Sequence, residues 1–301
     1  MISSLDPAAQ SFLAGLAQIQ QRLDTAQAQL TTGLAINNDS DAPTEIANLW
    51  QNRSQLDQAD QITSNLNQVQ TEVNTGESVL ENAVTLVEQA ETLGAQGASD
   101  TVTVTARQDI AQSLGSVLQQ LVAVANTQVA GRFIFSGDDD QQAPYSIDLT
   151  QPNPVSAYQG TASTRQIQGA DGSTFPVALT AQQIFDSSDV TQNVFVSITS
   201  LMQGLQSNND TAINSALADV QSSDTYLNQQ LAFYGTTQDR VQSGLTFAQN
   251  YTTQLQTQLS GIEDANAAEA ATNLTEAQTQ LQAALQSRAQ LPNTSLFNYL
   301  G

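Results

Sequence analysis

LDPAAQSFLAGLAQIQQRLDTAQAQL, residues 5–30, places apolar side chains at Leu5, Ala9, Phe12, Leu16, Ile19, Leu23, Ala26 and Leu30, in alternating steps of four and three. A second stretch, AAEAATNLTEAQTQLQAA (residues 267–284), repeats the pattern at Ala267, Ala270, Leu274, Ala277, Leu281 and Ala284. Such a stripe follows one face of a helix, which cannot cover that face itself, so each end of the chain calls for a partner helix. These positions, Leu5, Phe12, Leu16, Ile19, Leu23 and Leu30 with Ala267, Ala270, Leu274, Ala277, Leu281 and Ala284, are the candidate assembly interface.

Between the two stripes the sequence predicts more helix. Asp6 before Pro7 is a helix start, with a capping carboxylate and a proline preset for the first turn. The first helix runs to about Leu30, and residues 31–40 form a loop around Gly33, after which Asp41 and Pro43 restart a helix. Ile62, Leu66, Val69, Val73, Gly76, Leu80, Ala83, Val87 and Ala90 continue in four-three steps, with an end expected near Gly94 and Gly97. A third helix carries Ile110, Leu114, Val117, Leu121 and Val124. Its approach, residues 101–105, alternates Thr and Val but is too short to stand as a strand.

Composition changes at Gly131. Phe133, Ile134 and Phe135 form an apolar strand-like run, residues 137–140 form a turn, and Pro144, Pro152, Pro154 and Pro176 punctuate short strand-like pieces at 165–168 and 175–179. Helix returns from Ala181, and a long last stretch carries Val241, Leu245, Ala248, Leu255, Leu259 and Ile262 before its phase slips beside Gly261, where the helix could bend or its seam change partner. The reading is a mainly α fold: a long antiparallel helical bundle or coiled coil formed by the N- and C-terminal segments, with a small inserted β domain. Residues 1–42 with 262–301 make a terminal helical assembly domain, 43–132 with 184–261 a long helical bundle, and 133–183 the β insertion.

The 301 residues carry a net charge of -22 although only 12% are charged. Such a field repels nucleic acid and anionic bilayers, and no stretch is long and apolar enough for membrane insertion. With no Cys, His or Lys, the chain has no thiolate nucleophile, Ser-His-Asp triad, P-loop lysine or His-ligated zinc, so most enzyme mechanisms are excluded and no cofactor is called for. Residues 1–10 lack the basic and apolar regions of a cleaved signal peptide. Only 5% of residues are aromatic, which favours thin Ala- and Leu-lined seams over one thick core.

Other motifs read more simply. The Asp138, Asp139, Asp140 run lacks the ligand spacing of a calcium loop and is a solvated turn, as is the Asn37 to Asp41 stretch. Glu263, Asp264, Glu269 and Glu276 belong to a polar helix face. Trp50, beside Ile46 and Leu49 on a helix, is expected to pack against a neighbour. The stripes themselves fit either a monomeric bundle or a filament-forming subunit.

Two segments resemble the bacterial flagellin superfamily. TTGLAINNDSDAP (31–43) is similar to that family's loop after the first helix, and GIEDANAAEAATNLTEAQ (261–278) to its C-terminal signature. AGRFIFSG (130–137), IFDS (184–187) and LPNTSLFNYL (291–300) further resemble its hook–filament junction branch. Leu34 and the absence of lysine depart from the family pattern.

The resemblance implies a non-enzymatic structural subunit of the flagellum at the hook–filament junction, with flagellin, the filament subunit, as the alternative. It implies export through the flagellar type III apparatus, with an export chaperone, to an extracellular site without a cleaved signal peptide. It also implies assembly with copies of itself and with flagellar neighbours, hook-associated protein 1 and flagellin, through terminal helices that are poorly ordered before assembly.

Overall fold

The computed structural model describes residues 7–168, 172 and 174–290. They form seven α-helices and two small hairpins, which group into two units: residues 1–58 with 251–301, and residues 59–250.

The first unit holds α1 (Pro7–Thr32), the first turns of α2 (Ile46–Gly97), the end of α6 (Asp210–Glu263) and α7 (Ala267–Gln290). Leu5 and Asp6 lie outside the described residues. Helix α2 starts at Ile46, three residues beyond Pro43, because the Asp41 carboxylate is taken up inside the loop: it accepts the N–H groups of Asn37 (3.0 Å) and Asn38 (2.8 Å). The phase slip near Gly261 is a break rather than a bend, since α6 ends at Glu263 and α7 begins at Ala267. Asn266 caps the new helix, its Oδ1 accepting from the Ala268 N–H at 3.2 Å.

The second unit is built on the remainder of α2 and α6, with α3 (Val104–Ala125) packed against α5 (Val194–Gln206). Helix α2 ends at Gly97, as the glycines predict. Thr103 caps α3 by accepting the Ala106 N–H at 3.2 Å, so the Thr-Val approach serves the helix. Where the sequence reads one helix from Ala181, there are two. Helix α4 (Ala181–Phe185) has a capping box between Thr180 and Gln183, and a 3-10 turn (Val190–Gln192) leads to α5, which Asn193 caps.

The insertion holds little regular strand. β1 (Gln128–Val129) pairs with β2 (Arg132–Phe133) through a two-residue turn in which Ala130 and Gly131 both have positive φ, 51° and 78°. β3 (Gln166–Gln168) pairs with β4 (Thr174–Pro176), Ile167 opposite Phe175. The expected Phe133 to Phe135 strand stops at Phe133. Beyond it the chain satisfies its backbone through turns, such as Ser156 N–H to Ser146 carbonyl at 2.9 Å and Gln159 N–H to Pro144 carbonyl at 3.0 Å.

The scarce aromatics are concentrated rather than spread, so the second unit has a thick core where the composition suggested only seams. The Phe135 ring stands edge-on to Phe185 (6.4 Å between centroids) and Tyr234 (6.2 Å), and Phe185 stacks on Phe195 at 5.6 Å. These side chains come from the insertion, α4, α5 and α6 and share one cluster with the α2 and α3 stripes. Burial pushes the Tyr234 hydroxyl well above its ordinary pKa, and its oxygen accepts the Leu179 N–H at 3.2 Å. Gly76 occupies an apolar-stripe position because a Cβ there would come within 2.5 Å of the Tyr234 ring.

One point on the α2–α6 seam is electrostatically unfavourable. Burial, and then the carboxylates of Glu88 and Glu91, hold Asp224 above the usual carboxylate range. The fold therefore favours its protonated form. That contribution is complete below the ordinary aspartate value of 3.8 and is lost as pH rises through the raised value. Asp224→Asn is expected to raise the melting temperature at pH 7 slightly, since the group is only partly buried and its repulsion is screened by solvent. Melts of the two chains should converge as pH falls well below the ordinary aspartate value of 3.8; a gap that persists at pH 2.5 would rule out the electrostatic cause.

Candidate assembly surface

Helix α1 packs against α7. Gly33 lies against Ala265 where α1 ends and α7 begins, and the Arg288 guanidinium lies 5.6 Å from the Phe12 ring towards the other ends, so the pair is antiparallel. Ala26, Ala270 and Ala277 are buried, each 2% exposed, and small side chains at such positions let two helices approach closely. Phe12, Leu16, Ile19 and Leu23 on α1, and Leu274, Leu281 and Ala284 on α7, are only half-buried, while Leu30 and Ala267 are exposed. Leu5, the remaining candidate, lies outside the described residues, as does the 291–300 segment. Within the chain, then, α7 covers the α1 stripe in part.

The two signature segments, far apart in sequence, meet at the foot of this pair. Gly33 adopts φ 74°, a left-handed turn suited to glycine, and its carbonyl accepts the Ala265 N–H at 2.8 Å. The Ala35 N–H returns a bond to the Glu263 carbonyl at 2.5 Å, which makes Leu34 and Asp264 an isolated antiparallel bridge. The helix break after Glu263 is thereby stitched to the loop after Thr32. Polar side chains hold the loop side: Gln29 Nε2 donates to the Ala35 carbonyl at 3.1 Å, and Asn37 Nδ2 to the Leu34 carbonyl at 2.8 Å. Buried Glu263 forms an ion pair with Arg53 of α2.

None of this clasp was among the residues expected to act. Its signals were present, namely Gly33 in one motif and the phase slip in the other, but nothing in their spacing says that they touch. Trp50 requires a correction: it is 54% exposed, with the Arg53 guanidinium 5.7 Å from its ring. Leu49 takes the inward position, and residues one apart on a helix point about 100° from one another.

The acidic turn is tied into its surroundings. Asp140 faces Arg132 at 3.7 Å and accepts from Gln141, and the Asp138 N–H donates to Thr161 Oγ1 at 2.7 Å. Among the described residues no group of three or more acidic side chains is arranged to hold a metal, and no helix is long and apolar enough to cross a membrane.

Residues 4–140 match the sequence profile of the bacterial flagellin N-terminal helical region, and residues 207–300 that of the C-terminal helical region. The chain belongs to the bacterial flagellin family.

Within that family its fold is similar to those of FlgL proteins. A Vibrio parahaemolyticus structure described as that of a flagellar hook-associated protein aligns at a TM-score of 0.66, with 18% identity, over 74% of this chain and 100% of its own. Flagellar hook-associated protein 3 from Legionella pneumophila aligns at 0.62, with 12% identity, over 70% and 98%. Bacillus cereus FlgL aligns at 0.52, with 17% identity, over 64% and 96%. No curated protein matches the chain in sequence. Membership of this family indicates a structural rather than a catalytic protein.

Proposed function

We propose that the chain is a structural, non-enzymatic subunit of the bacterial flagellum at the hook–filament junction, assembling through its terminal helices outside the cell. The observation that carries this reading is the half-covered stripe. Phe12, Leu16, Ile19 and Leu23 find only the narrow, Ala-rich face of α7, which leaves apolar surface for helices of neighbouring subunits. Leu30, 38% exposed, and the exposed Ala267 belong to the same surface.

A pair held by so little buried area is weak alone and firm once neighbours complete it. The terminal assembly domain of this reading is residues 1–42 with 262–301, joined at the Gly33–Ala265 clasp. Export through the flagellar type III apparatus with a chaperone, and contacts with hook-associated protein 1 on one side and flagellin on the other, follow from the family resemblance. The junction role, rather than that of filament subunit, is favoured by the likeness to the Vibrio, Legionella and Bacillus structures.

Seeded polymerisation separates the two roles. Purified chain added to short filament seeds should cap or decorate their ends without elongating them, as seen by electron microscopy. Long filaments grown from this chain alone would instead make it a flagellin.

A further inference from the structure

Helices α6 and α7 are separated by three residues, Asp264, Ala265 and Asn266, although the sequence places no helix breaker among them. From Ile262 to Gln290 the chain has neither glycine nor proline, and Ala265, Ala267 and Ala268 are of the best helix-forming type. The backbone bonds show what interrupts the helix. In an unbroken one the Ala265 N–H would donate to the Gly261 carbonyl, and the Glu263 carbonyl would accept from the Ala267 N–H. Instead the Gly33 carbonyl takes the Ala265 N–H at 2.8 Å, and the Ala35 N–H takes the Glu263 carbonyl at 2.5 Å. Rungs on either side are in place, Asp264 N–H to the Ser260 carbonyl and Ala270 N–H to the Asn266 carbonyl, both at 2.9 Å. The clasp thus stands in, group for group, for two rungs of a helix ladder.

We infer that the α6–α7 joint has two states: clasped, as here, and a single helix running through Asp264, Ala265 and Asn266 once residues 33–35 withdraw. Gly33 is exposed and Ala35 half-buried, so water satisfies their backbone groups on release. The clasped state gains the Asn266 cap, whose Oδ1 accepts from Ala268 (3.2 Å) and Glu269 (3.4 Å), and the burial of Ala270 and Ala277. The single helix gains the joined ladder but loses the phase correction. Carried onward from Leu255, Leu259 and Ile262, its seam would run through Asn266, Glu269, Asn273 and Glu276, leaving Ala270 and Ala277 about 100° away. Closing the clasp therefore decides which way the α7 stripe faces. The joint is a property of the single chain and does not depend on the assembly role proposed above.

A proline at position 267 separates the two states. Ala267 is the first residue of α7, where proline fits because its φ is preset and its missing N–H lies outside the ladder. In the single helix the same proline would lack the rung to Glu263 and collide with that carbonyl.

The test uses the full chain and the Cα chemical shifts of Asp264, Ala265 and Asn266. Gly33→Val with Ala35→Pro opens the clasp: proline removes one donor, and valine is strained at φ 74° although a Cβ there meets nothing within 4 Å. The three shifts should move from non-helical values in the native chain to helical ones in this variant. Adding Ala267→Pro should return them to non-helical values, whereas Ala267→Pro alone should leave the native pattern unchanged. The milder Gly33→Ala, which keeps both clasp donors, should move the same shifts part of the way towards helical. Shifts that stay native in the opened chain show a locally encoded break, and shifts that move towards coil in both opened variants show that nothing replaces the clasp; either result overturns the two-state joint.

Discussion

Phe135→Ala is expected to lower the stability of the 59–250 unit by about 3–5 kcal/mol, a fall in melting temperature of roughly 10 °C. Phe135 is fully buried and meets both Phe185 and Tyr234 edge-on, so truncation removes two aromatic contacts as well as opening a cavity. Its backbone is tied in at the same point, the carbonyl accepting both the Ala181 N–H (2.8 Å) and the Tyr158 hydroxyl (3.1 Å). The neighbours therefore cannot collapse freely into the space. Thermal melts followed by circular dichroism provide the measurement. A loss below about 1 kcal/mol would mean that the insertion is an appendage rather than part of the core.

Deleting residues 267–301 should abolish incorporation into flagella while leaving the 59–250 unit folded. The cluster that holds that unit together contains no residue of α1 or α7, so its melting transition should survive. The terminal pair behaves differently. Without α7, the 26-residue α1 loses the helix packed against its stripe, and an isolated helix of that length is marginal in water. The helical signal should fall by about 50 residues rather than by the 24 of α7 alone. A deletion chain that still incorporates would refute assembly through the terminal pair, and a loss confined to α7 would show that α1 holds its shape unaided.

Much of this fold was legible because repeating side-chain patterns carry long-range consequences. The four-three steps from Phe12 to Leu23, and from Leu66 to Ala90, require helices with a covered face, and α1 and α2 have them. Gly97 was legible as an end for the same reason. What escaped has no periodicity to betray it. The Gly33–Ala265 and Ala35–Glu263 bonds join backbone groups, which every residue possesses, so no side-chain pattern marks them.

The aromatic core was hidden differently. Phe135, Phe185, Phe195 and Tyr234 are far apart along the chain, and scarcity was mistaken for dispersal. Helix α4 and helix α5 looked continuous because their apolar residues share a spacing, although Thr180 and Asn193 had the chemistry to cap two helices. At the terminal pair, the stripe identified which faces are apolar but not how far α7 covers them, a matter of side-chain size at Ala270 and Ala277 as much as of phase.

The clasp has a consequence for how such chains can vary. Because Gly33 and Ala265 are joined by a 2.8 Å backbone bond, everything from residue 34 to 264 leaves the terminal pair and returns to it at one doorway. Lengthening a closed excursion costs only about 0.6 kcal/mol per doubling of its length. The intervening segment can therefore be grown, shortened or exchanged, provided that its two ends still arrive side by side, and the terminal pair works as a portable handle for whatever is spliced between.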